Sequence, residues 1–263
     1  MRKIVVVSTL AAVAACGGDA GTGTLAAEIW GEDFIEHGIP ASEFADGWSV
    51  TFGKFLVSVG GLTLARGGSP PDVSDDTQRV FDVTRAGPFP ILTRVVPSGR
   101  YDTTSYRLAP ATAATVPGNC AEADLDLMRD RGYSVYVEGT AQKAGRTKTF
   151  RWAFATDTTY HACQSTAVVD SNAAASIQIT IHGDHLFYDD LFSSTPAVTF
   201  EVVAGADADD DGEVTPAELQ AFDIRTLPNY GTGSTGIDNL WDFVSHLTRT
   251  LGHIDGEGHC ETR

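Results

Sequence analysis

The chain has few basic residues. Against 35 aspartates and glutamates it has 18 lysines and arginines, which gives a formal net charge of −17. This charge argues against nucleic acid as a partner and against docking on anionic lipid through the protein surface, because like charges repel. From residue 201 onward 13 residues are acidic and 3 are basic. Such an uneven distribution indicates a cation site or a strongly solvated surface in the last quarter of the chain.

Motifs of the common enzyme classes are also missing. The sequence contains no G-x-S-x-G, no H-E-x-x-H and no phosphate-binding loop. We therefore expect a non-enzymatic binding protein, with an enzyme of an unfamiliar type as an open alternative. The sequence does not indicate a protein partner.

Long apolar runs are absent after residue 15. The run Ile4–Ala15 follows the basic residues Arg2 and Lys3 and is too short to span a bilayer as a helix. Small residues then precede Cys16, which resembles the lipobox of bacterial lipoproteins. The resemblance implies a signal peptide over 1–15, acylation of Cys16, and a lipid anchor that holds the exported protein to a membrane of the cell envelope, in the periplasm or at the cell surface. The alternative is a plain secretory signal that is cleaved near Ala15.

Cysteines are few, and their number limits the disulfides. If Cys16 is acylated, Cys120, Cys163 and Cys260 are left in an oxidising compartment, where they allow one disulfide and one odd thiol. Cys120 and Cys163 flank a predicted β-hairpin, and the outer ends of a hairpin lie at the same end of a sheet. We therefore predict a disulfide between Cys120 and Cys163, with Cys260 free or intermolecular.

The pattern of apolar residues predicts an α+β fold. Residues 16–26 are rich in glycine, alanine and threonine, which is typical of a flexible tether. Short alternating stretches between turn residues then predict an antiparallel β-sandwich over 27–182, with its clearest hairpin at 133–154. Helical spacing in 237–251 and helix-compatible patterns at 197–204 and 216–222 predict that the rest, 183–263, is an α-rich segment.

One acidic segment, residues 207–218, carries the spacing of an EF-hand calcium loop. In the order of the loop the matching residues are Asp207, Asp209 and Asp211 as side-chain ligands, Gly212 at the sharp turn, Glu213 through its backbone carbonyl, Val214 as the inward apolar residue, Thr215, and Glu218 as a bidentate ligand. The resemblance implies one bound calcium ion as the cofactor.

Two features of this loop depart from the EF-hand family. The entering segment has weak helical patterning, and the chain contains one such loop where the family usually has a pair. Both lower the expected affinity. The alternative is an acidic surface turn that caps the helix beginning at Pro216.

A second set of metal-binding residue types follows a predicted strand. His182, Asp184 and His185 offer two imidazoles and a carboxylate within four residues, a set that can bind zinc or copper. The alternative is that they satisfy the polar groups of a turn. His253, His259 and Cys260 form a second cluster of metal-binding residue types near the C-terminus, for which the alternative is a solvated tail held by a disulfide. The alternative function of the protein, the periplasmic handling of copper or zinc, rests on the cluster of His182, Asp184 and His185.

Two further resemblances concern the architecture of the β-rich region and the C-terminal segment of the chain. The segments 56–62, 81–83 and 96–101, the last with the pattern V-P-x-G-x-Y, are similar to exported β-sandwich proteins that are associated with copper and work beside di-haem peroxidase-like enzymes. The metal ligands of that group have no counterpart that can be assigned in this chain, so the resemblance implies architecture alone. The segment 252–260, G-H-x-x-G-E-G-x-C, resembles the end of bacterial lipoproteins of no assigned activity.

Overall fold

The computed structural model describes residues 21–263, so the predicted signal peptide and Cys16 lie outside the described residues. Within 21–263 the strands are β1 (Thr22–Trp30), β2 (Ser49–Ala65), β3 (Val73–Asp75), β4 (Arg79–Asp82), β5 (Phe89–Pro97), β6 (Gly99–Tyr101), β7 (Thr103–Leu108), β8 (Val116–Pro117), β9 (Val135–Lys143), β10 (Arg146–Phe154), β11 (Thr158–Cys163), β12 (Ala167–Val169), β13 (Ala174–Ile181), β14 (Glu213–Val214), β15 (Gly252–Ile254) and β16 (Glu261–Thr262). The helices are α1 (Glu32–Glu36), α2 (Glu122–Arg131), α3 (Glu201–Gly205), α4 (Pro216–Ala221) and α5 (Leu240–Leu247). None of these described helices is long and apolar enough to cross a membrane.

Most of the strands belong to two sheets. The smaller sheet has the strand order β15-β13-β1-β5 and the larger has the order β14-β10-β9-β2-β7-β11-β16, while β3, β4 and β8 attach beside it. The first half of β2 pairs with β9 and its second half with β7, so the larger sheet curls along this 17-residue strand. The described part of the chain is therefore β-rich, as the alternating pattern predicts.

Side chains from both sheets share one hydrophobic core. The residues that β1 and β13 contribute to it are Leu25, Ala27, Ile29, Ile177, Ile179 and Ile181, each no more than 1% exposed. The predicted hairpin is confirmed, because β9 and β10 pair in continuous register from Lys143 opposite Arg146 to Val135 opposite Phe154. Alternation thus located the strands that fill the core.

The prediction of an α-rich C-terminal segment is wrong. Its helices α3, α4 and α5 have only 5, 6 and 8 residues. Its strands instead extend the sheets, with β14 beside β10, β15 beside β13 and β16 beside β11. The spacing in 237–251 does produce α5. The stretch 197–204 starts no helix before Glu201, because Val198 bridges to Tyr188 and the Thr199 N–H donates to the Phe187 oxygen.

The prediction of a tether over 16–26 is wrong from residue 22 onward. β1 begins at Thr22 and lies between β13 and β5. A Cβ atom added at Gly23 would lie 2.5 Å from the backbone oxygen of Asp170, so only glycine fits there. Gly23, one of the small residues that suggested flexibility, therefore reflects close packing within a sheet.

The predicted disulfide between Cys120 and Cys163 is also wrong, because Cys163 is bonded to Cys260. β16 returns to pair with β11, and this pairing brings Cys260 beside the end of β11. Cys120 instead packs against a separate small apolar cluster around Leu56 and Val80, and its thiol is free. The correct pairing depends on a strand of two residues that has no pattern in the sequence.

Candidate metal centres

The acidic loop 207–218 forms the turn that its spacing predicts. It begins after α3, contains β14 and ends in the first turn of α4. Asp210 and Gly212 have φ angles of 58° and 89°, and glycine adopts such a left-handed conformation without steric cost. Val214, at the predicted inward position, is fully buried in the core. The turn and the apolar anchor of the loop are therefore confirmed.

Three carboxylates of the loop come together around Asp207. One oxygen of each of Asp207, Asp209 and Asp211 lies within 4.8 Å of the others. The side chain of Asp207 is 0% exposed, and its Oδ2 accepts from the backbone N–H of Gly212 at 3.0 Å and from the Lys148 ammonium. Its Oδ1 is buried and has no hydrogen-bond partner. One oxygen of Asp207 is thus held by the protein, and the other is left without a partner.

Glu218 lies outside this group of three but joins the two ends of the loop. Its Oε1 accepts from the backbone N–H of Ala208 at 2.9 Å, and its Oε2 accepts from the N–H and the hydroxyl of Thr215, each at 2.8 Å. With the Thr215 side chain it forms a capping box at the start of α4. The N–H of Thr215 is the main cause of the lowered pKa of Glu218. The carboxylate is therefore charged and held beside the loop.

The backbone of the loop is fixed to the larger sheet. β14 pairs in parallel with β10, with Glu213 opposite Thr149 and Val214 opposite Phe150. The Glu213 N–H also donates to Asp211 Oδ1 at 2.7 Å. An edge of the sheet thus supplies the neighbouring strand that a second loop would supply in a paired EF-hand.

Lys148 also belongs to this centre, and the residue spacing of the loop 207–218 did not predict it. Its ammonium contacts Asp207 and lies 3.4 Å from Asp210 Oδ1, and its side chain is 10% exposed. This ammonium is the main cause of the lowered pKa of Asp207. A signal was present in the sequence, because Lys148 takes an inward position in the alternation with Phe150 and Trp152.

A second centre forms where β13 ends beside β15. His182 follows β13, Asp184 and His185 lie in a 3₁₀ helix (Asp184–Phe187), and His253 lies in β15. The ring centroids of His182 and His253 are 4.4 Å apart, and each is 5.1 Å from the centroid of His185. The predicted set of His182, Asp184 and His185 has donor atoms within 4.8 Å of one another. The structure therefore brings these three residues together, as predicted.

The structure divides the predicted C-terminal cluster. His253 joins His182 and Glu257 in a second set of donor atoms within 4.8 Å. Cys260 is in a disulfide and offers no thiolate, and the ring centroid of His259 is 6.3 Å from that of His253. The hypothesis of a separate ligand cluster of His253, His259 and Cys260 is therefore wrong, and the alternative of a C-terminal segment held by a disulfide is confirmed.

Two further carboxylates flank His182, and neither was singled out from the sequence. Glu32 Oε2 lies 3.6 Å from His182 Nε2, and Glu257 Oε1 lies 4.0 Å from His182 Nδ1. Burial raises the pKa of Glu32. Glu32 and Glu257 lie far from His182 along the chain, and no spacing rule connects them.

Burial favours the neutral imidazole of His185 and of His253 by lowering their pKa values. Loss of hydration, followed by the charge of His182, lowers the pKa of His185 to about 3 and that of His253 to about 4. Burial also raises the pKa of Asp184. Neutral imidazole is the form of histidine that binds metals.

No protein-family model, curated protein or solved structure matches the chain.

Proposed function

We propose that this chain is an exported, non-enzymatic binding protein that holds one calcium ion in the loop 207–218. The observation that carries the proposal is Asp207 Oδ1, a carboxylate oxygen that is buried without a hydrogen-bond partner. Leaving a buried carboxylate oxygen without a hydrogen-bond partner is costly. A cation in the loop removes that cost, because it provides the partner that the protein does not.

The ligand set suits calcium. Calcium takes six to eight oxygen ligands at flexible distances. Asp207, Asp209 and Asp211 supply carboxylate oxygens from one turn, the backbone carbonyl of Glu213 is the expected fourth ligand, and Glu218 can contribute from the start of α4. Oxygen ligands alone, with no sulfur or nitrogen, favour a hard cation over zinc or copper.

Lys148 explains how the loop stays compact without the ion. Its ammonium offsets part of the repulsion among the carboxylates by binding Asp207 Oδ2 and lying near Asp210. This bond leaves Asp207 Oδ1 free, so Lys148 and the ion would bind different oxygens of the same carboxylate. A cation that is already present beside the site also reduces its attraction for calcium, which fits the weak binding expected of a single loop.

Calcium binding tests the proposal directly. We expect isothermal titration of the full chain to give one site with a dissociation constant on the order of 10⁻⁴ to 10⁻³ M. Asp207→Asn should abolish the heat of binding, since it replaces the unpartnered oxygen anion by a neutral amide. Asp130→Asn, an exposed aspartate of α2, is the matched control and should bind as the wild type does. Binding by Asp207→Asn at wild-type affinity would refute the assignment.

The cell-envelope location and the architecture complete the proposal. We infer that Cys16 is acylated and anchors the protein to a membrane, since small residues precede it and the apolar run before it is short. The shared core between the sheets supports a β-sandwich. Replacing Cys16 by serine should release the protein from the membrane fraction and prevent labelling with palmitate, and unchanged fractionation would refute the anchor.

A further inference from the structure

The rings of His182, His185 and the partly buried His253 have the spacing of ligands around one ion. An imidazole nitrogen bound at about 2.0–2.1 Å places its ring centroid about 3.2 Å from a metal, so tetrahedral imidazole ligands have centroids about 5.2 Å apart. The centroids of His182, His185 and His253 form a triangle with sides of 4.4, 5.1 and 5.1 Å. Three imidazoles that packed as ordinary core groups would need hydrogen-bond partners for their nitrogens.

Those partners are incomplete. His253 Nδ1 is buried and has no hydrogen-bond partner, and the same holds for Asp184 Oδ1. His185 Nδ1 lies 2.7 Å from the backbone oxygen of Thr250, so this nitrogen carries the proton and donates it. The Nε2 atom of His185 then has a free lone pair. A ring nitrogen of His253 and a carboxylate oxygen of Asp184 are thus two buried polar atoms without a partner in one cluster.

We propose that His182, His185 and His253, together with Asp184, bind one divalent transition-metal ion of the zinc or copper class. Imidazole nitrogens suit these ions, whereas calcium prefers oxygen ligands. The donor atoms fall into two sets that share His182, one with Asp184 and His185 and one with His253 and Glu257. Because His182 is common to both sets, we place the ion beside His182, with His185 and His253 as the further nitrogen ligands. This centre is separate from the calcium loop and does not depend on it.

Residues behind the ligands hold them in position. The Thr250 carbonyl fixes the tautomer of His185, and the Tyr188 hydroxyl donates to Asp184 Oδ2 at 3.3 Å. Hydrogen bonds of this kind to the non-ligating atoms are typical of protein metal sites. They orient the ring and the carboxylate before an ion binds.

The segment that carries His253 is fixed at several points. Its strand β15 pairs with β13. Asp255 accepts from the backbone N–H groups of Gln178 and Thr166 at 2.9 and 3.0 Å. The disulfide between Cys163 and Cys260 ties the following residues to β11. Because this segment is already held in place, His253 loses little conformational entropy when it binds a metal ion.

An ion can reach the centre from the side of Glu257. The side chain of Glu257 is 85% exposed and that of Glu32 is 24% exposed, whereas His182 beneath them is 6% exposed. The two carboxylates place negative charge at the entrance, which attracts a cation. The proposed site is therefore buried but connected to solvent.

The test is metal binding by the full chain after treatment with a chelator. We expect one equivalent of Zn²⁺ in competition with a chromophoric chelator. His182→Ala, His185→Ala and His253→Ala should each weaken zinc binding about 100-fold or more, and Tyr188→Phe about 10-fold. His37→Ala, an exposed histidine of another part of the chain, and Glu218→Ala in the calcium loop should leave it unchanged.

A measurement on the wild-type protein tests the site without relying on variants, some of which could fail to fold. Copper(II) added in place of zinc should give an electron paramagnetic resonance spectrum with three imidazole nitrogens coupled to the metal. A spectrum with two nitrogens, or wild-type zinc affinity in His253→Ala, would overturn the three-histidine centre. Uptake of less than one equivalent of both metals by the wild type would overturn it as well.

Discussion

The indole N–H of Trp152 donates to the backbone oxygen of Val214 at 2.9 Å, in the buried core. Trp152 belongs to β10 of the hairpin formed by β9 and β10, and Val214 lies inside the acidic loop 207–218. The bond adds to the parallel pairing of β10 with β14. Order in the loop and order in the larger sheet are therefore coupled, and an ion bound in the loop should stabilise the sheet.

Removing the indole N–H of Trp152 should destabilise both the loop and the larger sheet. Trp152→Phe keeps an aromatic ring but leaves the Val214 oxygen without its indole partner, so we expect a loss of about 1–3 kcal/mol in the free energy of unfolding. Urea denaturation measures this loss. Trp241→Phe, which shortens a partly buried indole that stacks on Phe154, controls for the change in size. Equal losses in the two variants would argue against a specific role for the bond.

Replacement of Lys148 should strengthen calcium binding. Lys148→Met removes a cation that contacts Asp207. A unit charge about 6 Å from a divalent ion in water costs about 1.4 kcal/mol, which corresponds to about tenfold in affinity. The same change should destabilise the calcium-free protein, because the carboxylates lose their counter-charge. Calorimetric titration would show the gain, and an unchanged or weaker affinity would mean that Lys148 does not oppose the ion.

The disulfide between Cys163 and Cys260 should make a large contribution to stability. It joins residues 97 positions apart, and closing a loop of this length contributes about 4–5 kcal/mol in the chain-entropy description. Cys260→Ser should lose much of that, whereas Cys120→Ser should not. Peptide mapping without reductant should recover Cys163 linked to Cys260. A linked peptide that contains Cys120 would contradict the structure.

Glu201 should contribute stability that depends on pH. It accepts from Lys143 Nζ at 2.7 Å, from Arg146 at 2.6 Å and from the Trp48 indole at 2.9 Å. The bonds from Lys143 and then Arg146 lower the pKa of Glu201 to about 2. Because the side chain is 43% exposed, Glu201→Gln should cost at most about 1 kcal/mol at pH 7.

The sign of this pH effect follows from the lowered pKa. Between about pH 4.5 and pH 2 the unfolded chain binds the proton more readily than the folded chain, so the contribution of Glu201 is full above this window and disappears as the pH falls through it. Urea denaturation of the wild type and Glu201→Gln at pH 7, 5 and 3 measures the difference. Glu43→Gln, at an exposed position, is the control. A difference that grows toward pH 3 would contradict the account.

Local patterns in the sequence predicted those features that depend on neighbouring residues. The alternation at Thr147–Phe154 gave the hairpin, and the loop spacing with Gly212 gave the turn and the buried Val214. Features that join distant residues were missed or mispaired. Lys148 and Asp207 are 59 positions apart, Cys163 and Cys260 are 97 apart, and His253 reaches His182 only through the pairing of β15 with β13. Such contacts are set by the tertiary fold and cannot be predicted from the periodicity of apolar residues along the sequence.

Thermal melting of the full chain and of Glu218→Ala, each with about 10–100 mM calcium and with chelator, tests the calcium site most directly. At about 100-fold excess over the dissociation constant, linkage gives about 2.7 kcal/mol, which for a protein of this size raises the melting temperature by about 5–10 °C. Glu213→Gln, which keeps its backbone carbonyl, should retain that shift, and magnesium should give a smaller one. We predict that Glu218→Ala loses the shift. A wild type that melts at the same temperature with and without calcium, or a Glu218→Ala variant with the full shift, would contradict the calcium site.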